Sequence, residues 1–146
     1  MPVSFLVRSL TEPMSAVIPE HYTDLLQSAA LAHIATIGPK GEPQSSPLWF
    51  GWDGEFLRFA QLVGADRKRR NLERDPRVAV SIVDPANMYR YIEVRGTVER
   101  IEPDVDRAFI NAMARKYWGQ EAYTEGKPDD EFVVVVIRPV RVTGMG

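Results

Sequence analysis

The chain has 146 residues, 45% of them hydrophobic and 26% charged, a balance that excludes a disordered tail or a fibrous repeat. With no cysteine and two histidines, His21 and His33, it has no disulfides, no thiol chemistry and little material for a metal site. A formal net charge of −2, from 18 basic and 20 acidic side chains, argues against broad coating of nucleic acid.

One local feature breaks this even balance. Five of the 18 cations, Arg67, Lys68, Arg69, Arg70 and Arg74, fall within eight residues. The length is that of one domain, expected over residues 1–146 with an extension over 1–18. Met1 to Ser15 has no uninterrupted apolar core of the signal-peptide kind, and no run reaches the roughly 18 apolar residues of a membrane span. A cytoplasmic protein is the expectation.

In chain order, Pro19 suits a first helical position, and Tyr22, Leu25 and Leu26 predict a short helix to about Ala30. Leu31 to Ile37 is β-compatible and closes on the turn residues Gly38-Pro39-Lys40-Gly41. Its apolar setting predicts a core position for His33, while His21 falls on a helix surface. A second strand is predicted from Gln44 to Trp52, with Gln44, Ser46, Leu48, Phe50 and Trp52 on one face. Pro47 places that stretch at a sheet edge or bulge, which frees backbone groups for a ligand. Asp53-Gly54 then signals a hairpin into a strand from Glu55 to about Gln61.

Leu62 to Asp66 reads as a loop, with Asp66 the N-cap of a helix of about eight residues that Asp75-Pro76 ends. Val78 to Val83 is a short buried strand, and Tyr89 to Arg100 alternates as another. Pro103 and Asp104 open the longest helix, with Val105, Phe109, Met113 and Tyr117 at four-residue steps. A polar loop from Gly119 to Glu131 leads to a last strand, Phe132 to Ile137, which Pro139 separates from the tail. Six strands joined mostly by tight turns, with two or three helices, predict a mainly β (α+β) protein with a closed or nearly closed antiparallel barrel.

The basic segment carries the clearest chemistry. Lys68 and Asn71 are neighbours on one helix face, beside the free N–H groups and positive dipole end of its N-terminus. That combination suits a phosphate, although a solvated charged helix has the same composition. Trp49, Phe50 and Trp52 could stack on a flat ring or fill the core. Rossmann and P-loop glycine motifs, a nucleophile motif and metal-spaced carboxylates are all missing. If the chain is an enzyme, a bound cofactor carries the reaction.

The order Leu-Ala-His-Ile-Ala-Thr-Ile, Pro-Gln-Ser-Ser-Pro-Leu-Trp-Phe, Lys-Arg-Arg-Asn-Leu-Glu-Arg-Asp-Pro-Arg-Val and Tyr-Ile-Glu-Val-Arg-Gly-Thr-Val resembles the pyridoxamine-5′-phosphate-oxidase-like split-barrel superfamily. Within it, the likeness is to the oxidoreductases that use the deazaflavin coenzyme F420. The resemblance spans about residues 20 to 144. It implies a six-stranded antiparallel split β-barrel with a few peripheral helices, assembled as a homodimer with two cofactor sites at the subunit interface.

Carried onto this chain, the resemblance puts Lys68 and Asn71 by the cofactor phosphate. Gln44, Ser45, Ser46 and Pro47 run along the phosphate and ribityl chain, and Ala60, Gln61, Leu62 and Val63 lie beside the ring. Tyr89, Arg90 and Tyr91 reach the cofactor from the other subunit. Relatives often place a cation two residues before the lysine, where this chain has Asp66. Arg67 is the nearest replacement, about 100° around the helix. The implied activity is hydride transfer between the deazaflavin C5 and a small electron-poor substrate such as a quinone, enone or nitro compound. No catalytic residue is singled out, and Tyr91 or solvent are the candidate proton sources. An FMN-binding oxidoreductase and a non-catalytic F420 carrier are the alternatives. F420 is expected over FMN because Val142 to Gly146 carries no Arg-rich extension.

Overall fold

The computed structural model describes residues 16–146, so most of the expected N-terminal extension lies outside the described residues. A short 3-10 turn, Glu20–Tyr22, leads into helix α1 (Thr23–Gln27), whose Leu25 and Leu26 are fully buried. Strands β1 (Ala32–Ile37) and β2 (Pro43–Leu48) form an antiparallel hairpin across the predicted glycine turn, where Gly41 takes φ +80°. Strands β3 (Gly51–Trp52) and β4 (Leu57–Leu62) form a second hairpin. At its tip Asp53 Oδ1 accepts the N–H groups of Glu55 and Phe56 at 2.9 and 2.7 Å.

Helix α2 (Arg67–Arg74) ends where Asp75-Pro76 predicted. Strands β5 (Arg77–Asp84), β6 (Asn87–Pro103) and β7 (Phe132–Met145) complete one antiparallel sheet of order β2-β1-β5-β6-β7-β4-β3. The sheet's two edge strands, β2 and β3, are joined through Trp49-Phe50 alone. The sheet therefore curls until its edges lie side by side, which is the expected split barrel with seven strands rather than six.

The extra strand arises at that seam. The predicted Gln44–Trp52 strand breaks because its first half pairs with β1 and its second with β4, at opposite ends of the ladder. Phe50, buried between them, finds no backbone partner in either half. Helix α3 (Ala108–Trp118) supplies its partners instead. The Tyr117 hydroxyl accepts the Phe50 N–H at 3.2 Å, and Lys116 Nζ donates to the Phe50 carbonyl at 2.7 Å. The Tyr117 hydroxyl also donates to the Ala30 carbonyl at 2.6 Å. The seam is thus closed by side chains where a ladder cannot form.

Three further expectations are corrected. His33 is exposed, because Ala32, Ile34 and Thr36 take the inward positions of β1 and the alternation turns His33 outward. Pro139 does not end the last strand: β7 runs through it, and the β6–β7 register slips at Arg95/Gly96, opposite the proline that lacks an N–H. The long helix begins at Ala108 rather than Pro103, since Asp106 and Arg107 are left-handed (φ 56° and 54°) and leave Val105 exposed. Asp104 still caps it, its carboxylate accepting the N–H groups of Phe109 and Ile110 at 2.8 and 2.9 Å.

The core fills the barrel. Phe50, Phe59, Ile82, Ile92, Val94, Val135 and Ile137 come from the inward positions of four strands and the seam, with Leu25 and Leu26 of α1 plugging one end.

Candidate functional site

Two cavities share the strands on either side of the seam. The first, of about 560 Å³, is polar and lies against the N-terminus of α2. Gln44, Ser45 and Ser46 of β2, Gln61 of β4, and Asp66, Arg67, Lys68 and Arg70 line it, with Thr36 and Ala65. The second, of about 400 Å³, is lined by the next residues of the same strands: Pro47 and Leu48 on β2 and Ala60 on β4. Around them stand Trp49, Trp118, Tyr123 and Phe132.

In the polar cleft the cations are only partly committed. Lys68 is half-buried with its ammonium 5.4 Å from the centre of the Phe59 ring. Burial holds it below the usual lysine range. Among the described residues it has no carboxylate partner. Arg67 and Arg70 are exposed and likewise without an ion pair, whereas Arg69 is paired with Glu73 at 2.9 Å.

Asp66 occupies the N-cap position but not the role expected of it. Its backbone is helical (φ −96°, ψ 0°), so its carboxylate cannot fold over the helix end and instead accepts the Gly64 N–H at 3.1 Å. The first-turn amides of α2 therefore have no side-chain cap, which leaves them to an incoming anion.

Asn71, expected beside Lys68 at the phosphate, is 1% exposed and faces inward. Its Nδ2 donates to Thr36 Oγ1 at 3.0 Å and to Gln44 Oε1 at 2.6 Å. Arg74 donates to its Oδ1 at 3.4 Å. Asn71 thus ties α2 to β1 and β2 and orients Gln44 in the cleft wall. Gln61 does similar work, donating to the Ala65 carbonyl at 2.6 Å and holding the 62–65 turn against the cleft.

Of the residues singled out in the sequence, Gln44, Ser45, Ser46, Gln61, Arg67 and Lys68 meet in the polar cleft, and Pro47 and Ala60 in the aromatic cavity. Leu62 ends β4 and Val63 begins the turn after it, and neither lines either cavity. Tyr89, Arg90 and Tyr91 lie on β6, away from both linings. Tyr89 is 74% exposed. Arg90 is spent within its own chain: it bonds Asp24 at 2.7 Å, Asp84 at 2.9 Å and the His21 carbonyl at 2.6 Å, pinning α1 to the β5–β6 hairpin.

Thr36, Arg70, Trp118, Tyr123 and Phe132 were not singled out as site residues. Trp118, Tyr123 and Phe132 lie about 70 residues or more beyond β2 in sequence, and no local motif links them to it. Trp118 and Tyr123 arrive with α3 and the loop after it, and Phe132 arrives because β7 pairs with β4. Trp49 stacks on Tyr117 (5.1 Å, 4°) and meets Trp118 edge-on (4.5 Å, 87°).

A polar, cationic cleft beside a helix N-terminus, followed along the same strands by an aromatic box, suits an elongated ligand with an anionic group and a flat ring. A family model described as Pyridoxamine 5′-phosphate oxidase matches residues 18–146. A solved structure of an F420 reductase is 41% identical, covers 86% of this chain and 98% of its own, and superposes with a TM-score of 0.77. A conserved hypothetical protein of Mycobacterium tuberculosis (23% identity, 92% and 89% coverage, TM-score 0.67) shares the fold. So does General Stress Protein 26 of Bacillus anthracis (22%, 86% and 92%, 0.65). No curated protein matches the chain.

Proposed function

The chain belongs to the pyridoxamine 5′-phosphate oxidase family, and on that premise we propose that it is an F420-dependent oxidoreductase acting on a small electron-poor substrate. The observation that carries this reading is the succession of the two cavities along β2 and β4, charged at one end and aromatic at the other. The F420 reductase at 41% identity favours the deazaflavin over other cofactors with a phosphate and a tricyclic ring.

The polar cleft fits the phosphate. Lys68, partly desolvated and without an ion pair among the described residues, supplies the charge-assisted contact, and the uncapped amides of α2 supply oriented donors. Ser45 and Ser46 offer hydroxyls along the polar chain, and Gln44 is held in place by Asn71. Pro47 and Ala60 lie where the ring would follow. When bound, the reduced cofactor supplies the hydride, so the protein's own work is to hold ring and substrate in contact and to exclude water. No side chain of the described residues is needed as a nucleophile.

The exposed Tyr89 and Tyr91 fit a homodimer in which each subunit's β6 covers the partner's site. Their exposure, together with that of Met88, makes an apolar patch that association would bury.

Titration with F420 and FMN side by side tests the reading. F420 should bind and quench, and oxidation of F420H2 should follow addition of a quinone, enone or nitroaromatic. Binding of neither cofactor overturns the assignment. Binding of FMN alone makes this a flavin enzyme, and tight F420 binding without turnover against any acceptor makes it a carrier.

A further inference from the structure

The aromatic cavity has a charge character opposite to that of the polar cleft. The loop from Gly119 to Glu131, which follows α3, carries Glu121, Glu125, Asp129, Asp130 and Glu131 against Lys127 alone. Among the residues lining the cavity, Glu125 is the one that carries charge. Its carboxylate is exposed and makes no hydrogen bond or ion pair with the described residues.

Glu125 is presented on an anchored loop. The Arg107 guanidinium donates to the carbonyls of Lys127, Pro128 and Asp130 at 3.1, 3.3 and 2.6 Å. Tyr123 N–H donates to Asn111 Oδ1 at 2.9 Å, fixing the other side of the turn. The neighbouring cations are already engaged: Arg107 on those carbonyls, Lys116 on the Phe50 carbonyl and Arg115 on the Glu121 carbonyl. Among the described residues none of these, nor Lys127 of the same loop, forms an ion pair with Glu125.

The rings beside it are arranged as walls. Trp49 stands perpendicular to both Trp118 and Tyr123 (87° and 88°), which lie parallel to each other within 6°, and Phe132 closes the far side at 86° to Tyr123. Ring faces attract cations through their quadrupoles, and an unpaired carboxylate at the rim adds a net charge of the same preference.

We propose that this cavity binds a planar aromatic cation, with its ring against the tryptophans and its positive charge toward Glu125. The inference deepens the reading above, since it rests on that reading for the ligand's role as the acceptor substrate. It does not rest on it for binding. A cationic substrate stacked on the cofactor ring in this cavity would also complement the cofactor phosphate at the other end of the groove.

Calorimetric titration of the purified protein with N-methylquinolinium and with quinoline, at pH 8 where quinoline is neutral, tests this without any cofactor. The cation should bind about tenfold tighter than its neutral counterpart, because both the rings and the carboxylate favour charge. Glu125→Gln should shrink that preference while leaving quinoline binding unchanged, and Trp118→Leu should weaken both probes. Equal affinity for the two probes, or a preference that survives Glu125→Gln intact, overturns the proposal. F420 titrated into the same preparation separates the two readings. Loss of the cation preference with intact F420 binding sinks this inference alone, and the reverse result sinks the cofactor assignment alone.

Discussion

The Asn71 side-chain amide donates to Gln44 Oε1 across 2.6 Å, joining the basic helix to the edge strand that walls the polar cleft. The same nitrogen serves Thr36 Oγ1 at 3.0 Å, so one buried amide orients the cleft from two sides. An edge strand has only one neighbour in the ladder, and here a helix side chain supplies the second tether.

Replacing Asn71 by Ala strands Gln44 Oε1 and the buried Thr36 hydroxyl. Stability should fall by about 1–3 kcal/mol, the usual cost of an unsatisfied buried polar group. Urea unfolding measures this directly. F420 affinity should drop as well, because Gln44 loses its fixed position, and an unchanged affinity would show that Gln44 plays no part in binding.

Replacing Lys68 by Ala should weaken F420 by about 1–3 kcal/mol through loss of a charge-assisted contact. The pH dependence has a definite sign. Burial lowers the Lys68 pKa in the free protein, and a bound phosphate favours the ammonium, so binding takes up a proton once pH exceeds the lowered value. Affinity should therefore decline with rising pH before an ordinary lysine would titrate. In Lys68→Ala that decline should disappear.

Lys116 offers a separate test of the seam. Burial brings its pKa to about 8, against about 10.4 in an unfolded chain. The charged form is thus disfavoured in the folded state. The penalty is full below about pH 8 and is relieved as pH rises toward 10. Relative to Lys116→Met, the parent protein should gain stability between pH 8 and 10, measured by urea unfolding at fixed temperature. A constant difference across that range would mean that the ammonium is not desolvated.

Gly96 sits where β6 crosses the slipped register opposite Pro139. A Cβ there would press on the Arg138 carbonyl and the Ile137 side chain, neither of which can move without shifting β7. Gly96→Ala should cost about 1–3 kcal/mol, as overpacking typically does. A thermal midpoint equal to the parent's would show that the two strands can slide apart there.

Much of this protein was legible in the chain. Helix α2, its stop at Asp75-Pro76, the Gly38–Gly41 turn and the antiparallel strands all follow from local rules: backbone restriction at proline, turn chemistry and alternation of period two. The basic cluster marked the cleft for the same reason, since six of the residues singled out sit together along neighbouring stretches of chain.

Tertiary structure decided the rest. It broke the Gln44–Trp52 strand at Phe50, because barrel closure demands that one segment pair with both ends of the sheet. It turned His33 outward and Asn71 inward, since the direction of a face depends on what packs beneath it. It also assembled the aromatic cavity from Trp49 and residues some 70 positions away, with an unpaired Glu125 at its rim. The sequence by itself determined the elements and the charged end of the groove, which local chemistry dictates. Only the docking of α3 on the seam and the pairing of β7 with β4 determined the aromatic end, because contacts between distant residues leave no periodic trace in the chain.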